Sequence, residues 1–406
     1  MKTLFLLLLL VSSILTAQVK SGIDVLVADR FAVLQGKRIG LITNPTGVSS
    51  SLESTVDLFA KAQGITLAAL FGPEHGVRGD VSAGGHVETV IDSATGLPLY
   101  SLYGKTRKPN AEMLKGIDAL VYDIQDVGSR SYTFINTMAY AMEAAAENNI
   151  EFIVLDRPNP LSGNRVEGNV LDTNFRSFVG QYPLPYVYGM TCGELATLLN
   201  EEGWLAGGEK CRLTVVKMEG WKRWMHWENT HLPWVLTSPH VPHAETALYY
   251  SATGIIGELE TVNIGVGYTL PFQLVGAEWI NGRQFADALN AKHIDGVFFR
   301  PLSYKPYYGN QQNKQLQGVE IHLLDKNKVN LTNLNLTILE TLIKLYPANN
   351  PFTLADSGRN AMFDKVMGTN TVRNQLNAGV SADSIIGTWK NEIGKFLSIR
   401  KKYLLY

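Results

Sequence analysis

The amino-acid sequence predicts an α/β protein: a doubly wound, mostly parallel sheet followed by a smaller α+β unit. Three observations carry this expectation. Apolar strand-like runs alternate with segments of helical spacing through the first half of the 406 residues, as repeated βαβ crossovers require. Polar, glycine-punctuated loops follow two of those runs, at 71–80 and 123–133, where an open parallel sheet presents its ligand-binding edge. Beyond a stretch rich in proline and aromatic residues at 232–242, short strands mix with helices. A chain of this length can build two cored domains.

The chain opens Met1-Lys2 and runs apolar from Leu4 to Leu15 before Thr16-Ala17-Gln18. A charged start, an apolar segment too short to span a bilayer comfortably and a small residue near its end describe a secretory signal peptide over 1–17, cleaved after Ala17. The protein is then expected to be exported, periplasmic or secreted. With no later apolar run of membrane length, no membrane insertion is expected. Residues 18–245 form the expected amino-terminal domain and 246–406 the expected carboxy-terminal domain.

Within the first domain, 38–43 reads as a strand. Ser50 and Glu53, three apart, suggest a capping box for a helix over 52–62. Strands follow at 65–70, 97–102 and 119–123. Helical spacing over 132–148 places Phe134, Ile135, Met138 and Met142 on one side. A strand over 152–156 ends in the Asp156-Arg157-Pro158-Asn159-Pro160 turn, Thr191 and Glu194 predict a second capping box before a helix over 195–202, and 213–218 closes the series. Residues 244–254 read as a connector. The second domain shows strands at 296–300 and 319–324 and helices at 281–291, 334–345 and 382–402. The last helix carries Ile385, Trp389, Ile393 and Phe396 as an apolar stripe, and its basic end, Arg400-Lys401-Lys402, suits the helix dipole.

Composition excludes several partners. Lys+Arg 36 against Asp+Glu 37 gives a net charge of −1 without a strongly basic run, which argues against nucleic acid and anionic membrane. The two cysteines, Cys192 and Cys211, read as separate buried thiols, since a core this large needs no staple. Gly265-Val266-Gly267 lacks the third glycine of a dinucleotide fingerprint, and no Gly-Lys-Ser/Thr phosphate loop occurs. No Gly-x-Ser-x-Gly elbow is present either. His240 and His243 sit three apart, with Pro239 before the first and Pro242 between them, a weak pattern for zinc. No cofactor is expected.

The remaining chemical theme is paired carboxylates. Glycoside hydrolysis needs one carboxylic acid to protonate the leaving oxygen and a second carboxylate as base or nucleophile. Glu74 leads the candidates: Phe71-Gly72-Pro73-Glu74-His75-Gly76-Val77-Arg78-Gly79-Asp80 follows an apolar strand directly. Asp123 and Asp126 lie in Asp123-Ile124-Gln125-Asp126-Val127-Gly128-Ser129-Arg130-Ser131-Tyr132-Thr133, which repeats that layout. Glu258 and Glu260 open the second domain, where the two halves should touch and small-molecule clefts concentrate.

Five blocks carry a family resemblance: residues 71–79, residues 123–133, Leu-Asp-Arg-Pro-Asn-Pro at 155–160, Tyr-Gly-Met-Thr-Cys-Gly-Glu-Leu at 188–195 and Gly-Val-Gly-Tyr-Thr-Leu-Pro-Phe at 265–272. In that order they resemble the exo-β-N-acetylmuramidases of the NamZ type, long catalogued as a domain of unknown function. The resemblance implies a Rossmann-like amino-terminal domain, a smaller carboxy-terminal domain and an acidic cleft between them. It implies release of N-acetylmuramic acid from the non-reducing end of peptidoglycan fragments, so the expected partners are muramyl-containing saccharides. By motif position Glu74 is the leading catalytic carboxylate and Glu258 the second, with Glu260 competing for that place. Where many relatives read Glu-Gly-Thr-Asn, this chain has Glu258-Leu259-Glu260-Thr261. Val266 and Thr269 replace the usual arginine and aspartate, and Ser238-Pro239-His240-Val241-Pro242 stands for Ser-Pro-Asn-Met-Pro.

The expected substrate-binding set is His75, Arg78, Asp123, Gln125, Asp126, Arg130, Tyr132, Tyr188 and Glu260. A lactyl carboxylate calls for the planar fork of an arginine, for which Arg78, Arg130 and Arg157 compete. Tyr103, Tyr132 and Tyr188 are placed to stack on the sugar or to hydrogen-bond its acetamido group.

Overall fold

The computed structural model describes residues 18–79 and 90–406. The signal peptide expected at 1–17 and Asp80 of the first polar loop lie outside the described residues. Nine strands occupy the first half: β1 (Arg38–Thr43), β2 (Thr66–Gly72), β3 (Val90–Ile91), β4 (Pro98–Ser101), β5 (Ala119–Asp123), β6 (Glu151–Leu155), β7 (Glu167–Val170), β8 (Pro185–Val187) and β9 (Arg212–Val216). Seven of them form one sheet in the order β3-β4-β2-β1-β5-β6-β9. Every pairing in it is parallel except β3 with β4. This is the doubly wound arrangement the alternation predicted.

Strands covered on both faces read as near-continuous apolar runs, and here the two faces sort by alternate residues. Leu120, Tyr122, Phe152 and Val154 face one core together with the helix α3 (Phe134–Glu147) and the helix α4 (Cys192–Glu201). Val121, Ile153 and Leu155 face the other, against Ile23 and Leu26 of α1 (Gly22–Ala28) and Val56 and Phe59 of α2 (Thr55–Lys61). The strand order reverses between β1 and β5, the topological switch point at which ligands settle outside the carboxyl ends of the strands. The Thr43 hydroxyl ties those ends together by donating to the Asp123 carbonyl at 2.9 Å.

The capping box expected at Thr191 and Glu194 is formed. That of Ser50 and Glu53 is not: the Ser50 amide and hydroxyl bond Asp24 instead, and α2 starts later, capped by Ser54. Cys192 and Cys211 are separate buried thiols.

The second half holds α5 (Thr246–Gly257), a three-stranded antiparallel sheet in the order β10 (Leu274–Ala277), β12 (Leu316–Leu323), β11 (Val297–Tyr304), and the helices α6 (Gly282–Asn290) and α7 (Leu331–Leu345). The supposed connector at 244–254 is mostly α5. Its buried residues run right round the helix, so no amphipathic stripe marks it. Glu258 and Glu260 therefore stand at a helix end. The helix read over 382–402 is two, α11 (Ala382–Gly387) and α12 (Lys390–Arg400), which follow α8 (Pro351–Leu354), α9 (Ser357–Met367) and α10 (Thr371–Asn377). Ile385, Trp389 and Phe396 stay buried all the same.

Buried charges join the halves, Glu167 and Arg130 among them. Glu167 accepts the amides of Leu331 and Thr332 at 2.8 and 3.2 Å, where the dipole of α7 favours an anion. Arg130, 1% exposed, donates to the carbonyls of Asn169 (2.9 Å), Leu184 (2.5 Å), Val366 (3.2 Å) and Met367 (2.8 Å). Arg130→Leu would strand these acceptors, and each buried orphan costs about 1–3 kcal/mol. The variant should unfold at a clearly lower temperature than wild type in a thermal melt. An unchanged midpoint would refute this scaffold role.

Candidate active site

Strand ends from the first domain and one helix end from the second converge on a cavity of about 440 Å³ lined by Glu74, His75, Tyr103, Tyr132, Thr133 and Glu258 among others. Glu74 follows β2 in a turn closed by the Gly76 amide on the Pro73 carbonyl at 2.9 Å. That turn puts His75 at φ 73 and Gly76 at φ 76. A left-handed histidine is a strained choice of the kind that concentrates at functional sites. Tyr103 comes from the loop after β4, and Ser131–Thr133 from the loop between β5 and α3. Glu258 is the C-cap of α5.

The two glutamates have different surroundings. Glu74 Oε2 accepts the Thr133 hydroxyl at 2.8 Å, and the Tyr103 hydroxyl also donates to this carboxylate. Burial, then the charge of Glu74, pushes Tyr103 up to about 12, so it stays a donor. Glu258 is pushed up to about 7 by burial, against the opposing pull of Arg359, with the neighbouring Glu260 adding a smaller push upward. The carbonyl end of α5 also disfavours a negative charge there. Arg359 is itself engaged by Glu260 at 2.6 Å. Tyr186 and Tyr250, which also face Glu258, are held by the Ser131 hydroxyl at 2.9 Å each. One neutral acid and one carboxylate ringed by hydroxyl donors thus meet across a single cavity.

Of the residues singled out in the sequence, the structure brings Glu74, His75, Tyr103, Tyr132, His240 and Glu258 to this cavity. Tyr132 is held there by its hydroxyl on Thr237 at 2.7 Å. The others lie elsewhere. Asp123 is fully buried beneath the sheet end, paired with Arg157 at 2.6 and 2.9 Å and bonded by Thr55. Gln125 spends its amide on the carbonyls of Asp126 and Pro158 at 2.8 and 2.7 Å. Asp126, pushed up to about 6 by burial, is bonded by the Tyr188 hydroxyl and the Gly128 amide. Asp123, Gln125, Asp126 and Tyr188, expected as substrate ligands, thus do not line this cavity and form a polar scaffold under the loop. Arg78 forks onto Asp92 at 2.9 and 3.1 Å outside the cavity, and Arg130 serves the four carbonyls named above. Glu260 is exposed, at φ 53, and paired with Arg359, so it is a neighbour of the acid and not a lining residue.

His240 lines the cavity and reaches the Tyr308 hydroxyl at 3.1 Å, whereas His243 does not line it. Burial, then His75, holds His240 below the usual imidazole range. Among the described residues no group of three His, Cys, Asp or Glu is arranged to hold a metal. Sequence reasoning passed over Thr133, Arg107, Phe178, Tyr250 and Lys365, all of which line the cavity. Only Thr133 carried a usable signal, as the last residue of the second polar loop.

Comparison with known proteins bears on this geometry. Two family models, described as the N-terminal and C-terminal parts of exo-beta-N-acetylmuramidase NamZ, match residues 39–245 and 248–406. A peptidoglycan beta-N-acetylmuramidase NamZ of Bacillus subtilis (strain 168) is 47% identical over 389 residues, covering 96% of this chain and 92% of that protein. Two crystal structures of DUF1343 family proteins from Bacteroides fragilis NCTC 9343 superpose with TM-scores of 0.92 and 0.78 at 50% and 32% identity. Each match covers 96% of this chain and 99% of the other.

Proposed function

Because this chain belongs to the exo-β-N-acetylmuramidase NamZ family, we propose that its cavity hydrolyses the glycosidic bond of a terminal N-acetylmuramic acid at the non-reducing end of peptidoglycan fragments. The observation that carries this reading is the unlike pair of carboxyl groups facing one cavity from two halves of the chain. Glu258, held neutral to about pH 7, gives its proton to the glycosidic oxygen as the bond to the anomeric carbon breaks. Glu74 acts as carboxylate, either drawing a proton from the attacking water or adding to the anomeric carbon itself. Thr133 and Tyr103 orient it in both cases. The test is turnover of a chromogenic β-N-acetylmuraminide together with product analysis on glycan fragments. Released free N-acetylmuramic acid supports the proposal. Capture of the saccharide without turnover, or cleavage at internal positions of long strands, would overturn it.

The reading predicts the pH profile. The working form of Glu258 is protonated, so kcat/KM should fall above a pH of about 7, approaching tenfold per unit. Glu260→Gln removes a neighbouring negative charge and releases Arg359. Both changes favour ionised Glu258, so the alkaline limb should move to lower pH. A limb that stays in place would detach it from Glu258.

We further infer export with removal of 1–17, on the charged start and apolar run of that segment. Amino-terminal sequencing of the protein recovered from outside the cytoplasm should begin at Gln18. No helix among the described residues is long and apolar enough to cross a membrane.

A further inference from the structure

A muramic residue differs from glucosamine by the lactyl ether on O3, whose carboxylate must enter a cavity already holding Glu74 and Glu258. Such an anion needs a cation to meet it, and the arginines expected for that task are spent. Arg78 serves Asp92, Arg157 serves Asp123 and Arg130 serves buried carbonyls, and the nearby Arg359 serves Glu260. The permanent cations that line the cavity are Arg107 and Lys365.

We infer that Arg107 is the specificity-determining residue that receives the lactyl carboxylate, an assignment that rests on the hydrolase reading of the cavity above. Its guanidinium carbon lies 4.3 Å over the centre of the Phe178 ring, and that ring is itself buried and 5.9 Å from the ring of Tyr103. Tyr103 in turn bonds Glu74. The cation is therefore placed two side chains, Phe178 and Tyr103, away from the carboxylate at the reacting centre. Stacking occupies the face of a guanidinium and leaves the in-plane N–H groups free, and that fork matches both oxygens of a carboxylate. Among the described residues no carboxylate lies within ion-pairing distance of Arg107, so the fork is not consumed as it is in Arg78. Lys365 on α9 is exposed, as Arg107 is, but among the described residues no ring or carboxylate holds it in one place.

The experiment compares a chromogenic β-N-acetylmuraminide with its lactyl amide, which keeps the size and loses the charge, on wild type, Arg107→Gln, Arg107→Lys and Lys365→Gln. Wild type should prefer the acid in kcat/KM by roughly ten- to a hundredfold, the worth of a charge-assisted contact. Arg107→Gln should bring that ratio near one by slowing the acid while leaving the amide nearly untouched. Arg107→Lys should restore part of it, and Lys365→Gln should leave it intact. A purely structural role would slow both substrates together and keep the ratio. An unchanged ratio in Arg107→Gln, or its collapse in Lys365→Gln, overturns the assignment to Arg107 while the hydrolase reading stands. A wild type that turns over neither substrate overturns the hydrolase reading and this inference with it.

Discussion

Glu74→Gln should retain the native fold and lose turnover on every β-N-acetylmuraminide, whatever its leaving group. The amide keeps the shape and continues to accept from Thr133 and Tyr103. It cannot take a proton from water or add to the anomeric carbon. Removing a positioned acid or base typically costs about 10²–10⁴-fold, and loss of a covalent nucleophile more. Because the lost step concerns attack at the sugar, a better leaving group offers no rescue. Kinetics with an activated aryl substrate and with a natural disaccharide should show losses of similar size. Near wild-type turnover on either would remove Glu74 from the mechanism.

Glu258→Gln should behave differently. A sugar alkoxide leaves poorly without a proton, so the disaccharide should be slowed by about 10²–10⁴-fold. An aryl oxide of low basicity departs unaided, and its turnover should be nearly preserved. The alkaline limb assigned to Glu258, at about 7, should vanish from the residual aryl activity. Equal losses on both substrates, or a limb that persists, would show that the proton comes from another group. The contrast between the two variants therefore separates acid from base without a bound substrate. The family match alone does not distinguish these roles.

The sequence by itself determined the sheet, because each buried strand is a short contiguous apolar run whose alternate residues must fill two cores, and that pattern is local. It determined Glu74 as a candidate because its polar loop leaves the carboxyl end of a strand and a second loop, at 123–133, repeats the layout. It determined the family through blocks spread along the chain. The helix ending in Glu258 was not legible, since a helix buried all round shows no stripe. Nor was the place of Ser50, whose partner Asp24 lies far back in the chain.

Only the tertiary structure decided what each charged residue does. Arg130 and Arg107 are alike as letters. Arg130 meets carbonyls supplied by residues 169, 184, 366 and 367, while Arg107 lies on a ring at 178 beside an open cavity. Asp126 and Glu258 are both buried acids with raised affinity for a proton, yet one is enclosed by Tyr188 and Gly128 and the other lines an open cavity. A charge takes its role from the desolvation and the partners around it, and those are assembled from distant segments whose meeting no local pattern encodes.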